Sequence, residues 1–247
     1  MSYQAVFRRY ELKYMLTLEQ KNLILEAISP YMTLDQYGRT TIRNIYFDTE
    51  DYKLIRASID KPVYKEKLRV RSYEQATHNS KVFVEIKKKY NHVVYKRRTS
   101  MSENDAMKWL CERQFPKDND KVQIVREIEY FMDFYKGLRP SVFLTYEREA
   151  YYSNDGSDFR VTFDDNILYR KDDLSLTAPV YGTSLLKDGL VLMEIKCSGG
   201  IPLWMVDVLS KEKIFKTSFS KYGTAYRTII FPELKNTYNE IEEEVLV

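Results

Sequence analysis

Glycine and proline are scarce in this chain of 247 residues, at eight and seven. That scarcity argues against linker-rich, collagen-like or disordered organisation, and no glycine-rich phosphate loop is present. Cysteine and histidine number two each. Cys111 and Cys197 are too few for a disulfide scaffold, which points to a reducing compartment. Read against their neighbours, both are apolar packing residues rather than nucleophiles. His78 and His92 fall in turns and have no metal-ligand spacing. No Ser-His-Asp arrangement is present. No stretch approaches the roughly 18 apolar residues of a membrane span. The opening, MSYQAVFRRYELKYML, holds no apolar run of signal-peptide length. A soluble, cytoplasmic protein is expected, with an unidentified protein partner left open.

What the chain does have is alternating charge. In KEKLRVRSY, Lys67, Arg69 and Arg71 alternate with Leu68 and Val70. A strand repeats every two residues, so the cations share one face and the aliphatics the other. In VFVEIKKKY, Phe83, Glu85, Lys87 and Lys89 oppose Val82, Val84, Ile86 and Lys88. LMEIKC sets Glu194 and Lys196 against Met193, Ile195 and Cys197. LTYERE puts Tyr146 and Arg148 with Leu144, and FRVTFDD puts Arg160, Thr162 and Asp164 opposite Phe159, Val161 and Phe163. An ordinary solvated face would mix signs. Residues 61–100 instead hold twelve Lys or Arg and three acids, Glu66, Glu74 and Glu85. Such an excess repels itself unless a densely charged anion offsets it. Lys88, Arg97 and Arg98 read as outer-face or rim charges.

The chain net is +3, so the basic segment is balanced elsewhere, in part by the tail Glu233–Val247 with its five Glu against Lys235. Strands are expected at Phe7–Met15, Thr40–Asp48, Pro62–Glu74, Lys81–Tyr90, Val93–Ser100, Ser141–Tyr152, Asp158–Asp164 and Gly189–Cys197. Thr17 and Gln20 form a capping-box pattern that opens a helix reaching about Tyr31. A turn and a short helix are expected over Thr49–Ile59, and further helices from Ser102 to about Phe115, from about Val122 to Lys136 before Gly137, and from Ile201 to about Ser210. About eight long strands joined by short turns favour an α+β fold. Eight antiparallel strands can close into a barrel that holds a ligand, with the helices packed outside. One domain over 1–232 is expected, with the acidic tail 233–247 beyond it.

Taken in order, ELKY, KEKLRVRSY, FVEIKKK, VVYKRR, YEREAY, LMEIK and FSKYGTAY resemble the VTC-type polyphosphate polymerase domain of the triphosphate tunnel, or CYTH-like, superfamily. The resemblance runs from about Phe7 to Tyr226. It implies an eight-stranded antiparallel tunnel with a cationic lumen, and transfer of the γ-phosphate of ATP to a growing polyphosphate chain with Mn²⁺ or Mg²⁺. Residue by residue it implies phosphate contacts from Lys13, Arg69, Arg71, Lys87, Lys96, Arg148, Arg160 and Lys221. Tyr146 and Ser220 would add hydroxyls. Lys89 and Lys196 would contribute charge, Glu194 would hold the metal, and Glu11 and Glu85 would assist it. The chain departs from the Glu-x-Glu-x-Lys frame of CYTH phosphatases, because Arg9 precedes Tyr10-Glu11-Leu12-Lys13. It also carries Ser218 where characterised polymerases carry Lys.

These residue types suit the chemistry. Arginine forks grip phosphate oxygens in pairs, lysines act as point charges, and hard dications prefer oxygen ligands. Phosphoryl transfer asks a protein mostly for alignment and charge stabilisation. Three rival readings remain. One is a triphosphatase that passes the same phosphate to water. Another is a non-catalytic module that binds polyphosphate or another anion. The last, a nucleic-acid binder, would need the cations on an open surface and is not expected.

Overall fold

The computed structural model describes residues 10–91, 93–116 and 122–235. Arg9, His92 and the tail from 236 onward lie outside them. β1 (Tyr10–Thr17) leads into α1 (Leu18–Ile28), followed by β2 (Met32–Leu34), β3 (Thr40–Asp48) and α2 (Lys53–Ile59). The strands β4 (Tyr64–Tyr73), β5 (Lys81–Tyr90) and β6 (Val93–Ser102) come next, then α3 (Glu103–Glu112) and α4 (Val122–Phe134). The last part holds β7 (Arg139–Ser153), β8 (Arg160–Arg170), β9 (Thr183–Ser184), β10 (Leu190–Cys197), α5 (Leu203–Lys211) and α6 (Lys221–Ala225), which runs on into a π-helical turn, Tyr226–Ile230. None of these helices is long and apolar enough to cross a membrane.

Local chemistry sets the boundaries. Thr17 caps α1 by accepting from the Gln20 amide, and the Gln20 side chain accepts from the Thr17 amide, each at 3.1 Å. Ser102 caps α3 by accepting from the Asp105 amide. α1 ends at Ile28 and α3 at Glu112, each three residues short of expectation. α3 stops where Arg113 turns left-handed. Along α4, Val125, Ile128, Phe131 and Met132 recur at helical spacing and are buried.

All strand pairs are antiparallel, in the order β1-β10-β8-β7-β3-β4-β5-β6, with β2 added to β7 and β9 to β8. The ladder does not close, because β1 and β6 are its ends. This corrects the closed eight-stranded barrel expected from the strand count. The free edge of β1 goes instead to the segment before α6: Tyr14 bridges Lys216, and the Thr217 amide donates to the Lys13 carbonyl at 2.7 Å. The sheet nonetheless curls on itself. Lys87 on β5 reaches Glu11 on β1 at 3.2 Å, although the two strands are six places apart in the ladder.

Two apolar clusters cover the convex side. One packs Leu68, Val70, Val82, Val84 and Ile86 against Trp109 of α3 and Ile128 and Phe131 of α4. The other packs Val161, Phe163, Met193 and Ile195 against Ile24 and Ile28 of α1 and Met205 and Leu209 of α5. The aliphatic half of each alternating strand therefore faces the helices, and the charged half is left for the concave face. Cys197 is buried on the helix side, but Cys111 is exposed, which corrects its assignment to the core.

Candidate active site

Four carboxylates organise the concave face, each shared among several cations. Glu194 on β10 lies 3.2 Å from Lys13, 3.4 Å from Lys196, and 3.6 Å from both Arg148 and Lys221. Burial alone would raise its pKa, but Lys221, Lys13, Lys196 and Arg148 together hold it well below the usual carboxylate range. Asp164 on β8 is fully buried. It accepts two hydrogen bonds from Arg148, at 2.6 Å each, and touches Lys221. Against the same burial penalty, Arg148 and Lys221 keep it ionised.

On the opposite wall Glu85 accepts from Arg69 at 2.8 Å and also meets Lys96 and Arg98. Its pKa is depressed, since Arg69 and Lys96 outweigh burial. Glu11 bridges Lys87 and Lys13; Lys87 is the main reason its pKa falls to about 2.

Neutral groups hold the arginines. The Arg71 fork donates to Asn44 Oδ1 at 2.8 Å and to Tyr146 Oη at 3.0 Å. The Asn44 amide in turn donates to the Leu144 carbonyl at 3.0 Å, so its orientation is fixed. Arg69 donates to Tyr46 Oη at 3.0 Å. The phenols of Tyr46 and Tyr146 are buried, which would raise their pKa, but the arginines beside them pull both below the ordinary value.

The cations here outnumber the carboxylates, and burial acts on the lysines. Burial lowers the Lys67 pKa to about 8, with Lys87, Lys65 and Lys13 adding repulsion. Lys196 falls to about 8, burial and Arg148 outweighing Glu194. Lys96 falls to about 7 through burial and the neighbouring Arg69 and Arg71. Burial is the first cause in each, and Lys13, held by Glu194 and Glu11, moves the other way, above its ordinary value.

Of the residues expected from the sequence, the structure brings together Glu11, Lys13, Arg69, Arg71, Glu85, Lys87, Lys96, Tyr146, Arg148, Glu194, Lys196 and Lys221. Ser220 caps α6 by accepting from the Gly223 amide, and its hydroxyl lies 3.4 Å from Lys67. Arg160 stands at the side of this group, paired in register with Lys196 and stacked 4.6 Å over Tyr152. Lys89 shares the face but sits near the end of β5, opposite Lys65. Arg98 is a correction. It does not lie on the outer face, because it shares parity with Lys96, reaches Glu85 and packs 3.3 Å over Phe83. Arg97 does face outward, to Glu127 of α4 at 3.4 Å. Asn44, Tyr46 and the pairing role of Asp164 were not singled out from the sequence. The FRVTFDD alternation already puts Asp164 on the same face as Arg160 and Thr162.

A metal can be tested against this donor set. Among the described residues no group of three His, Cys, Asp or Glu could hold an ion unaided. Magnesium and manganese commonly take one or two carboxylates and complete their shell with phosphate oxygens and water. Glu194, with Asp164 and Glu11 nearby, fits that substrate-borne mode and not an all-protein cage.

The VTC domain model matches residues 8–230. The chain belongs to the VTC domain family. Among solved structures, a proposed adenylate cyclase from Bacillus halodurans is similar at 15% identity and a TM-score of 0.52, over 87% of this chain and 94% of that one. An adenylyl cyclase candidate from Hippeastrum, described as having a dominant triphosphatase activity, is similar at 18% identity and a TM-score of 0.49, over 88% and 94%. No curated protein matches.

Proposed function

We propose that this VTC domain is a metal-assisted phosphotransferase acting on the terminal phosphate of a triphosphate, either ATP or inorganic triphosphate. One observation carries this reading. Lysines and arginines from six strands and α6 converge on one concave face, in excess of the carboxylates they surround. A triphosphate supplies the missing negative charge in a line, as the spread of cations requires. Arg69, Arg71 and Arg148 would take phosphate oxygens with their planar forks, and Lys13, Lys196 and Lys221 would act as point charges. Glu194 would hold Mn²⁺ or Mg²⁺ with help from Glu11. Such an ion supplies compensation for charge building on the phosphate oxygens.

The acceptor has two readings. Family membership supports a growing polyphosphate chain, which makes the protein a polyphosphate polymerase. The same cations would serve equally with water as acceptor, which makes the protein a triphosphatase. The test is to incubate the protein with ATP and Mn²⁺, with and without a polyphosphate primer, and to size the products. Metal-dependent loss of the terminal phosphate is expected. ATP binding no tighter than AMP binding would sink the reading.

A further inference from the structure

The aromatic side chains of the concave face differ in their access to water. Tyr146 is buried among the cations. Tyr73 and Phe83 instead stand at the end of β4 and near the start of β5, and Tyr73 is 45% exposed. Both keep the parity of the charged residues: Tyr73 follows Arg69 and Arg71, and Phe83 precedes Glu85. Their rings meet edge to face at 5.7 Å. Arg98 of β6 lays its guanidinium 3.3 Å over Phe83, with the Tyr73 ring 5.9 Å away, and also reaches Glu85. A single exposed tyrosine is ordinary on a protein surface. This one continues a line of cations.

The line can be followed contact by contact. Phe83 is opposite Arg71 in the register of β4 and β5. Tyr73 is two residues beyond Arg71 on the same face, about 7 Å along the strand. Arg71 donates to the Tyr146 hydroxyl. The Tyr146 ring lies 4.4 Å from Lys221 and 5.1 Å from Arg148, and both of these cations lie 3.6 Å from Glu194. Water reaches Tyr73, but Arg71 is only 6% exposed and Glu194 5%. An open aromatic end therefore leads into a buried cationic run.

We propose that Tyr73, with Phe83 and Arg98 beside it, is a stacking platform for the base of a nucleoside triphosphate, and that this platform separates a nucleotide from inorganic triphosphate. The inference rests on the triphosphate reading above. The terminal phosphate then lies by Arg148, Lys221 and Glu194, the phosphate nearest the sugar by Arg71, and the ribose spans the step from Arg71 to Tyr73. The base rests one face on the phenol ring. Every base has such a face, so stacking tolerates all of them, and a purine, with the larger face, holds better than a pyrimidine. Arg98 is kept flat by Phe83 and forms a cationic wall beside the ring. Inorganic triphosphate reaches the same cations and leaves the platform unused.

Calorimetric titration of the full chain with ATP, CTP and inorganic triphosphate, without added dication so that nothing turns over, tests the platform. The unaltered protein should bind ATP about threefold or more tightly than CTP. Tyr73→Ala should weaken ATP about tenfold, near the worth of one base stacked on an aromatic ring, and change triphosphate affinity by less than about twofold. Tyr73→Phe keeps the ring and should keep the ATP affinity. Equal losses for ATP and triphosphate in Tyr73→Ala, or no loss for either, would overturn the proposal. Equal affinity of the unaltered protein for ATP and CTP would also overturn it, and that comparison decides if Tyr73→Ala does not fold. Tyr152, with Arg160 4.6 Å over it, is another exposed ring on this face. A loss confined to ATP in Tyr152→Ala and missing in Tyr73→Ala would overturn the assignment to Tyr73. Failure of inorganic triphosphate itself to bind would overturn the triphosphate reading and the platform with it. The platform falls alone when triphosphate binds and Tyr73→Ala takes ATP as the unaltered protein does.

Discussion

Glu194 shows how one side chain can serve two roles. It lies within 3.6 Å of four cations, and in the proposed function it would also take a hard dication. Glu194→Gln keeps the shape and one acceptor but removes the charge. Turnover should fall by about 10³-fold, the equivalent of several kcal/mol of lost charge stabilisation. Triphosphate binding without metal should hold or tighten, because a negative charge has left a cationic face. Steady-state turnover across a Mn²⁺ titration, with binding measured in parallel, checks both; normal turnover would remove Glu194 from the reaction. Asn44 acts one step away, through Arg71. Asn44→Ala deletes the acceptor at 2.8 Å and frees the arginine fork to turn. Affinity for triphosphate should drop about tenfold, near the worth of one charged hydrogen bond. If the fall in melting temperature accounts for everything and affinity stays unchanged, Asn44 serves the fold alone.

Elements differ in how plainly they stand in the sequence. β4 is legible from the alternation of Lys67 to Arg71 and β5 from that of Val82 to Lys87, and the convex helices follow from their caps and spacing. β8 is not. Alternation fails at Asp164-Asp165-Asn166, which reads as a strand end. In the structure Asn166 takes a positive φ of 45°, and the register with β7 shifts between Thr145 and Glu147. That bulge resets the parity, and the strand runs on to Arg170. β2 and β9, of three and two residues, exist only because a longer strand is beside them. α6 has five residues with a glycine among them, too short to show a period. The cations of β4, β5, β7, β8 and β10 were legible from their own strands' alternation, whereas Lys13, Lys96 and Lys221, the last on a helix, were implied only by the family resemblance. Their sharing of carboxylates was not legible, because it depends on which strands become neighbours.

Asp48, at the end of β3, ties three of these elements together. Its buried carboxylate accepts from the amides of Thr49, Leu54 and Ile55 and from the Tyr222 hydroxyl, at 2.8–3.0 Å. It thereby caps α2 and anchors α6. Asp48→Ala would strand these donors and should cost about 2–3 kcal/mol, read as a fall in the denaturation midpoint. An unchanged midpoint would show that the joint is redundant.

At the scale of the whole molecule, burial holds two lysines of the concave face below their ordinary pKa, and pH exposes this. Lys67 and Lys196 lose their protons near pH 8 in the folded chain; unfolded, they keep them to about 10.4. Lys96 titrates near 7, but it is 40% exposed and water screens it, so the first two carry the effect. Between pH 8 and 10 the unfolded chain binds more protons than the folded one, so these lysines make stability rise with pH. Below about pH 7 both states are protonated and the full repulsive cost is present. A bound triphosphate reverses the balance by favouring the charged lysines. Binding should therefore take up protons at pH 8, and affinity should fall as pH rises from 7 to 9. Below about pH 6 the phosphate itself begins to lose charge, so the test belongs above that point. Titration at pH 8 in two buffers of different ionisation enthalpy measures the uptake directly. Lys196→Met should reduce it while leaving the fold intact. Zero uptake in the unaltered protein would mean that the lysines are already charged, and that the concave face is not short of an anion.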